Sequence, residues 1–197
     1  MKKYTVLALF AAITAVGGTL AANGFSATPF FIAESAKTLD SNMPIAGHVT
    51  MVVTDPNGNV KAYRQMDNIV VNVGETCTGA RLFGDQLKCS GTAFFNYIGI
   101  GTDGTAEAAG QSTLIAETNT RQQDTTNTLT NSSGTGATSV LTGTFAFTGT
   151  QSIQESGLFD TSAINTGHMF ARKIISPAVN VANGDSLTVT WTITTGS

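Results

Sequence analysis

Histidine and cysteine are the residues of this sequence best suited to nucleophilic chemistry, and both are scarce. The 197-residue chain contains two histidines, His48 and His168, and two cysteines. A hydrolase that forms a covalent intermediate needs a serine or cysteine nucleophile within reach of a base, often in a motif such as Gly-x-Ser-x-Gly. Neither histidine lies beside such a motif, so we interpret both as ordinary strand or loop residues.

Carboxylates are the other candidates, because glycoside hydrolases use a pair of them. Acids that are scattered over strands and loops always provide pairs, and no spacing in this sequence selects one. The sequence therefore predicts no catalytic residue, and a protein that is not an enzyme. The acids considered are Asp103, Glu107, Glu117, Asp124, Glu155 and Asp160.

Two glycine-containing turns could hold a phosphate or a cation. The segment GIGTDGTAE, residues 99–107, lacks the Lys-Ser/Thr of a phosphate-binding loop and precedes no convincing helix. Calcium would find oxygen ligands in DPNGN or in GTDGT, but neither shows the alternating Asp and Asn of a dedicated site. We interpret both as plain turns and predict no cofactor and no metal.

The first residues have the order of a secretory signal peptide. They begin with two lysines, continue with an apolar run and end in small residues, MKKYTVLALFAAITAVGGTLAANGFSA. We predict a signal peptide over residues 1–21, with cleavage after Ala21 or as late as Ala27. The alternative is an uncleaved anchor, because residues 4–22 are almost long enough to span a bilayer. The prediction is a secreted protein, extracellular or at the cell surface, that meets the membrane only through its leader.

Cys77 and Cys89 suit an exported chain, because an oxidising compartment allows a pair to form a disulfide. Closing a loop this short would stabilise the fold by about 3 kcal/mol. Metal ligation is the alternative, but the sequence has no Cys-x-x-Cys, and only His48 and His168 could add nitrogen ligands. We therefore predict a disulfide. Asn131, in Asn-Ser-Ser, is a glycosylation acceptor if the host glycosylates exported chains.

The charge of the chain excludes nucleic acid as a partner. Charged residues make up only 12% of the sequence and the net charge is −3, with the lysines and arginines scattered. A nucleic-acid-binding surface would need a clustered basic patch. Uncharged threonine, serine, glycine and asparagine are abundant instead, which is typical of an extracellular, strand-rich protein.

Short strands with turn signals about every ten residues predict an all-β domain. The clearest strand is SLTVTWTITT near the C-terminus, where apolar residues alternate with threonine. DPNGN predicts a hairpin turn, and residues 74–87 suggest a short helix or covered loop. We predict a single β-sandwich over residues 46–197, of jelly-roll or immunoglobulin-like Greek-key type. An N-terminal extension, residues 22–45, precedes it.

From residue 96 onward, the order of motifs resembles a β-rich module of tailed-phage virion proteins and of secreted bacterial and archaeal surface proteins. A phage structural protein ordinarily has no signal peptide, so the leader favours an exported surface version. The resemblance implies that Glu117 with Arg121, and Glu155 with Arg172, tie strands and loops together. The matching motifs are YIGIGTDGTA, STLIAETNTR, FTGTQSIQESGLFD and MFARKIISPAVNVANGDSLTVTWTI.

An apolar triplet, Phe30, Phe31 and Ile32, stands in the otherwise polar segment between the leader and the first strand. It resembles the N-terminal donor strand of thread-like and other β-sandwich pili, which fills a groove in the next subunit. The alternatives are a strand that packs on its own domain and a remnant of the leader. We predict a structural subunit of an extracellular filament or surface layer, with identical subunits as partners. The alternatives are a carbohydrate- or surface-binding module and a virion structural protein.

Overall fold

The computed structural model describes residues 45–84, 89, 94–131 and 136–196. The predicted signal peptide, residues 1–21, and the apolar triplet Phe30, Phe31 and Ile32 lie outside the described residues. No helix within the described part of the chain has the length and apolar character needed to cross a bilayer.

The described residues form ten strands and one helix. In chain order they are β1 (Ile45–Thr54), β2 (Val60–Asp67), β3 (Ile69–Val70), α1 (Asn72–Phe83), β4 (Tyr97–Gly101), β5 (Glu117–Gln123), β6 (Thr128–Asn131), β7 (Ala137–Ala146), β8 (Gln151–Phe159), β9 (Met169–Val181) and β10 (Ser186–Thr195). The predicted all-β class is confirmed, and the segment after β3 is a helix.

The strands form two antiparallel five-stranded sheets. The order in the first sheet is β2-β1-β10-β7-β6, and the order in the second sheet is β3-β9-β8-β4-β5. The last strand, β10, therefore lies at the centre of the first sheet, between β1 and β7. Such non-local pairing explains why the strand order could not be predicted from the sequence.

Strand β10 has the alternation that its sequence predicts. Its apolar residues, Leu187, Val189, Trp191 and Ile193, are buried. On the opposite face, threonines of β10 meet threonines of β7 in three hydroxyl pairs with oxygen–oxygen distances of 3.2–3.3 Å. One face of the first sheet therefore belongs to the core, and the other is a surface of threonine hydroxyls.

The hairpin predicted at DPNGN is confirmed and joins β1 to β2. The Asp55 carboxylate accepts hydrogen bonds from the backbone N–H groups of Asn57 and Asn59, at 2.9 and 2.8 Å. Gly58 has a φ of 84°, which side chains with a Cβ rarely adopt. The turn is therefore fixed by an Asp side chain at its start and a glycine near its end.

The main hydrophobic core draws residues from both sheets, including Val49 and Trp191 of the first sheet and Ile98 of the second. A smaller cluster contains Phe159 and Met169. Because Leu158 belongs to the main core and the next residue, Phe159, belongs to the smaller cluster, the two clusters lie on opposite faces of the second sheet.

Helix α1 packs closely on β9. A Cβ at Gly74 would overlap the backbone of Phe170, so the absence of a side chain allows this approach. The helix ends at Gly84, which has a left-handed φ of 81°, the usual conformation of a helix C-terminus. Cys77 of this helix forms a disulfide with Cys89, with a Cα–Cα distance of 4.9 Å, so the predicted disulfide is confirmed.

Candidate functional site: an apolar end of the domain

Glu155 and Arg172 form an ion pair that is closed to solvent. The Arg172 Nη2 donates to Glu155 Oε2 at 2.8 Å, and both side chains have zero exposure. The carboxylate also accepts hydrogen bonds from the backbone N–H groups of Ile115 and Ala116. The guanidinium donates in addition to the Thr105 carbonyl. This pair therefore attaches the segment between β4 and β5 to the second sheet, as the sequence motif implied.

Glu117 and Arg121 form a second buried pair, with 2.9 Å between Arg121 Nη2 and Glu117 Oε2. Arg121 also donates to the backbone carbonyls of Thr161 and Thr166. Its guanidinium carbon lies 3.5 Å from the centroid of the Phe159 ring. Arg121 thus attaches the loop between β8 and β9 to β5, so the predicted tying role is confirmed for this pair too.

His168 belongs to a charged cluster next to the disulfide. Its Nδ1 lies 2.8 Å from Asp160 Oδ2 and 3.9 Å from the Cys89 sulfur. Arg81 Nη2 donates to the same Asp160 carboxylate at 3.0 Å. The cysteine sulfurs are bonded to each other, so they are not thiolate ligands for a metal in this state. The cluster holds α1 against the loop after β8.

The other histidine, His48, lies on β1. Its Nδ1 is 2.9 Å from Asp67 Oδ1, in a cross-strand pair between β1 and β2 in which the Asp67 side chain is almost fully exposed. The His48 side chain therefore takes part in a surface pair between two strands.

Several carboxyls have lowered pKa values because hydrogen bonds favour their ionised forms. Asn59 lowers the pKa of Asp55, Thr105 lowers that of Asp103, and Lys61 lowers that of Asp185. These groups stay ionised at neutral pH and are poorly suited to donate a proton.

Glu107 shows two opposing effects. Burial raises its pKa, but hydrogen bonds from the Lys173 ammonium and the Ile174 backbone N–H outweigh burial and lower the pKa below its ordinary value of 4.5. Like the buried pairs, this contact joins the segment after β4 to β9. Four of the acids considered from the sequence, Glu107, Glu117, Glu155 and Asp160, therefore serve as attachment points for loops.

Three exposed apolar side chains, which we call the apolar end of the domain, lie at the end of α1 and shortly before β4. Phe83 is 87% exposed, Phe94 is 78% exposed and Leu82 is 60% exposed. Leu82 and Phe83 line a depression of about 420 Å³ together with Ile45, the first residue of β1. Exposed apolar groups of this kind commonly mark an interaction surface.

A second depression borders the main core. This cavity of about 190 Å³ lies between the sheets, because Leu141 and Ile193 come from the first sheet while Leu158 and Phe170 come from the second. The Phe95 and Phe170 ring centroids are 5.1 Å apart, and the Arg81 guanidinium carbon lies 4.3 Å from the Phe95 centroid. Arg81 therefore connects the wall of this cavity to the last turn of α1.

The remaining predicted site residue, Asn131, is the last residue of β6 and pairs with Ala137 of β7. The rest of its glycosylation triplet, Ser132 and Ser133, lies outside the described residues. The apolar end itself was not predicted. Phe83 and Phe94 could have indicated it, but the sequence around each is equally consistent with a side chain buried under other parts of the chain.

Comparison of the chain with protein-family models, with curated proteins and with solved structures gives no match. The arrangement of the described residues is therefore the basis for any functional assignment.

Proposed function

We propose that this protein is an exported structural subunit that assembles with identical copies into an extracellular filament or surface layer. Its leader, residues 1–21, is removed on export, and its two sheets form a single β-sandwich around the shared core. Residues 28–34 then add as a strand to a neighbouring subunit. The disulfide fits an oxidising extracellular location, because such bonds persist there.

The observation that carries this proposal is the apolar end of the domain. Leu82, Phe83 and Phe94 present large apolar side chains to solvent. Covering a side chain of this size is worth about 1.5 to 3 kcal/mol. Surfaces of this kind gain stability when a second protein covers them, which favours a subunit of an assembly.

The N-terminal triplet supplies a complementary apolar element. If this segment is added as an extended strand, Phe30 and Ile32 would point to one side of it and Phe31 to the other. Strand addition would join such a segment to a neighbour by main-chain hydrogen bonds, with side chains in apolar pockets for specificity. The polar residues 33–42 would act as the connector between the donated strand and β1.

The test is electron microscopy of the exported, purified protein, together with a variant that lacks residues 22–40. The proposal expects filaments or ordered layers from the complete mature protein and folded monomers from the deletion variant. Assemblies of normal abundance from the deletion variant would rule out strand donation.

The threonine face of the first sheet favours a second candidate function, a carbohydrate- or surface-binding module. The hydroxyl pairs Thr142–Thr190 and Thr144–Thr188 form neighbouring rows on this face. Tyr63 of β2 is half-exposed and pairs with Val52, which in turn pairs with Thr188. A glycan-array screen of the unaltered protein and of Tyr63→Ala tests this function. If the protein is a binding module, glycan binding should weaken in the variant while filament formation is unchanged.

A further inference from the structure

The disulfide between Cys77 of α1 and Cys89 lies beside an imidazole and a carboxylate. His168 Nδ1 is 3.9 Å from the Cys89 sulfur and 2.8 Å from Asp160 Oδ2. The two cysteine sulfurs and a ring nitrogen of His168 all lie within 4.8 Å of one another. A disulfide needs no nitrogen or carboxylate donor beside it, whereas a structural zinc ion needs four donors drawn from these types.

The distances are close to those of a tetrahedral zinc site. Zinc binds thiolate sulfur at about 2.3 Å and imidazole nitrogen at about 2.0–2.1 Å, so sulfur and nitrogen ligands lie about 3.6 Å apart. The Cys89 sulfur and His168 Nδ1, at 3.9 Å, therefore need only a small movement toward each other. Two sulfur ligands lie about 3.8 Å apart. Side-chain rotation provides this separation once the bond between the sulfurs is broken.

Asp160 supplies the fourth donor. It is buried, and its Oδ1 accepts a hydrogen bond from the backbone N–H of His168 at 2.8 Å. Its Oδ2 lies next to His168 Nδ1 and accepts from Arg81 Nη2 at 3.0 Å. Carboxylates that ligate metals are commonly held by outer hydrogen bonds of this kind. Two thiolates and one carboxylate carry one negative charge more than Zn²⁺ neutralises, and the Arg81 guanidinium offsets this excess.

The His168 ring connects the buried sulfurs to solvent. The ring is partly exposed and lines a depression of about 220 Å³, together with Asn72, Val73 and Thr76 of α1. Cys77, directly after Thr76 in the sequence, is fully buried. A metal ion that enters this depression therefore meets the imidazole first and the sulfurs behind it.

We propose that the reduced protein binds one zinc ion and that forming the disulfide releases it. The ligand atoms are Cys77 Sγ, Cys89 Sγ, His168 Nδ1 and Asp160 Oδ2. A dithiol reductant gives two electrons and two protons to the disulfide and becomes a disulfide itself, which leaves two protein thiols. Zinc binding then displaces both thiol protons. A small-molecule disulfide reverses the change: it takes two electrons from the thiolates and two protons from water, becomes two thiols, and the re-formed protein disulfide expels the ion.

The two states match the two redox environments that an exported chain meets. Thiols are kept reduced in the cytosol, whereas disulfides persist after export. In the reduced state, zinc would join α1, through Cys77, to Asp160 at the end of β8 and to His168 at the start of β9. Because the ion binds the folded form, it stabilises that form while the disulfide is absent. The site goes beyond the proposed assembly and does not depend on it.

The test is a metal titration of the purified protein in its oxidised form and after reduction with a dithiol that is then removed in the absence of oxygen. Cobalt(II) is the spectroscopic probe, because tetrahedral thiolate ligation gives it intense visible bands and a sulfur-to-metal charge-transfer band. We expect these bands from the reduced protein at one cobalt per chain, and their loss when zinc is added. The oxidised protein should show none, and neither should the variant with Cys77→Ser and Cys89→Ser.

Two histidine variants test the ligand set. His168→Ala removes one donor and should lower the zinc affinity of the reduced protein by about tenfold or more. His48→Ala is the matched control, because His48 is the other histidine of the chain and pairs with Asp67 at the surface, so its zinc affinity should be unchanged. Fluorescence of the buried Trp191 reports folding in every sample. If reduction alone unfolds the protein, zinc should restore the folded-state emission.

The outcomes separate the possibilities. Zinc binding that requires both reduction and His168 supports the inference. A reduced protein that takes up no metal, or that stays unfolded when zinc is added, overturns it. Equal zinc affinity in the oxidised and reduced forms overturns it as well, because the ion then binds elsewhere. Equal affinity in His168→Ala and His48→Ala also overturns it, because thiols alone would then hold the ion.

Discussion

Substituting Glu155 with alanine would leave the Arg172 guanidinium without its carboxylate in a site that is closed to solvent. It would also remove the acceptor of the Ile115 and Ala116 backbone N–H groups. Breaking a buried ion pair by removing one partner costs about 3 to 5 kcal/mol. Each buried donor that is left unsatisfied costs about 1 to 3 kcal/mol more, although water entering the vacated space reduces this. We therefore expect Glu155→Ala to lower the free energy of unfolding by about 4 to 6 kcal/mol.

The assay is urea unfolding monitored by tryptophan fluorescence. Trp191 is the single tryptophan of the chain and is fully buried in the core, so its emission reports global unfolding. With an m value of about 2 kcal/mol/M, the expected loss corresponds to a decrease of about 2 to 3 M in the urea midpoint.

The matched control is Asp67→Ala, which breaks the exposed pair with His48. Exposed pairs contribute about 0 to 1 kcal/mol, so the control should change the urea midpoint little. The combined variant Glu155→Met with Arg172→Met should lose much less stability than the sum of the two single changes, because no unpaired charge remains. A Glu155→Ala midpoint close to that of the control would refute the reasoning.

Four further substitutions test the fold. Cys89→Ser should lower the free energy of unfolding by about 3 kcal/mol. In the unaltered exported protein, mass spectrometry without reductant should show no free thiols at Cys77 and Cys89. On α1, Gly74→Ala should destabilise because its Cβ overlaps the β9 backbone, whereas Gly79→Ala, with open space around it, should stabilise by up to about 1 kcal/mol in urea titrations. Because the pKa of Glu107 is lowered, its ionised form stabilises the fold. This stabilisation is fully present above pH 4.5, the ordinary pKa, and is lost as the pH falls through the lower folded-state pKa. The destabilisation caused by Glu107→Gln should therefore shrink in acid.

Local sequence signals predicted those elements whose structure depends on near neighbours. The alternation around Trp191 predicted a strand with one buried face, and the turn chemistry after Asp55 predicted the hairpin. Here apolar periodicity and turn residues agree, which makes the prediction unambiguous. The pairs Glu117 with Arg121 and Glu155 with Arg172, which the family resemblance implied and no local pattern indicated, meet as ion pairs.

Other features depend on contacts that are distant in the sequence. The helix α1 contains Gly74 and Gly79, and its N-cap residue, Val71, makes no capping hydrogen bond, so its start gave little signal. Strand β5 has polar residues on both faces and so lacks the alternation that indicates a strand. Its buried residue, Arg121, is satisfied by the ion pair with Glu117. The cavity exists because strands that are far apart in the chain meet at Leu141 and Leu158. No local pattern encodes that meeting.

The central claim, assembly by donation of residues 28–34, is tested most directly by sedimentation velocity of the mature protein that carries Phe30→Asp and Ile32→Asp. Burying each of these side chains should be worth about 1.5 to 3 kcal/mol, and a buried charge would oppose it. We predict that the variant remains a folded monomer, with the melting temperature of the unassembled domain, under conditions in which the unaltered protein polymerises. Normal polymerisation of the variant would contradict the claim. A variant that stays monomeric but melts at a clearly lower temperature would contradict it too, because that result means that the segment packs on its own domain.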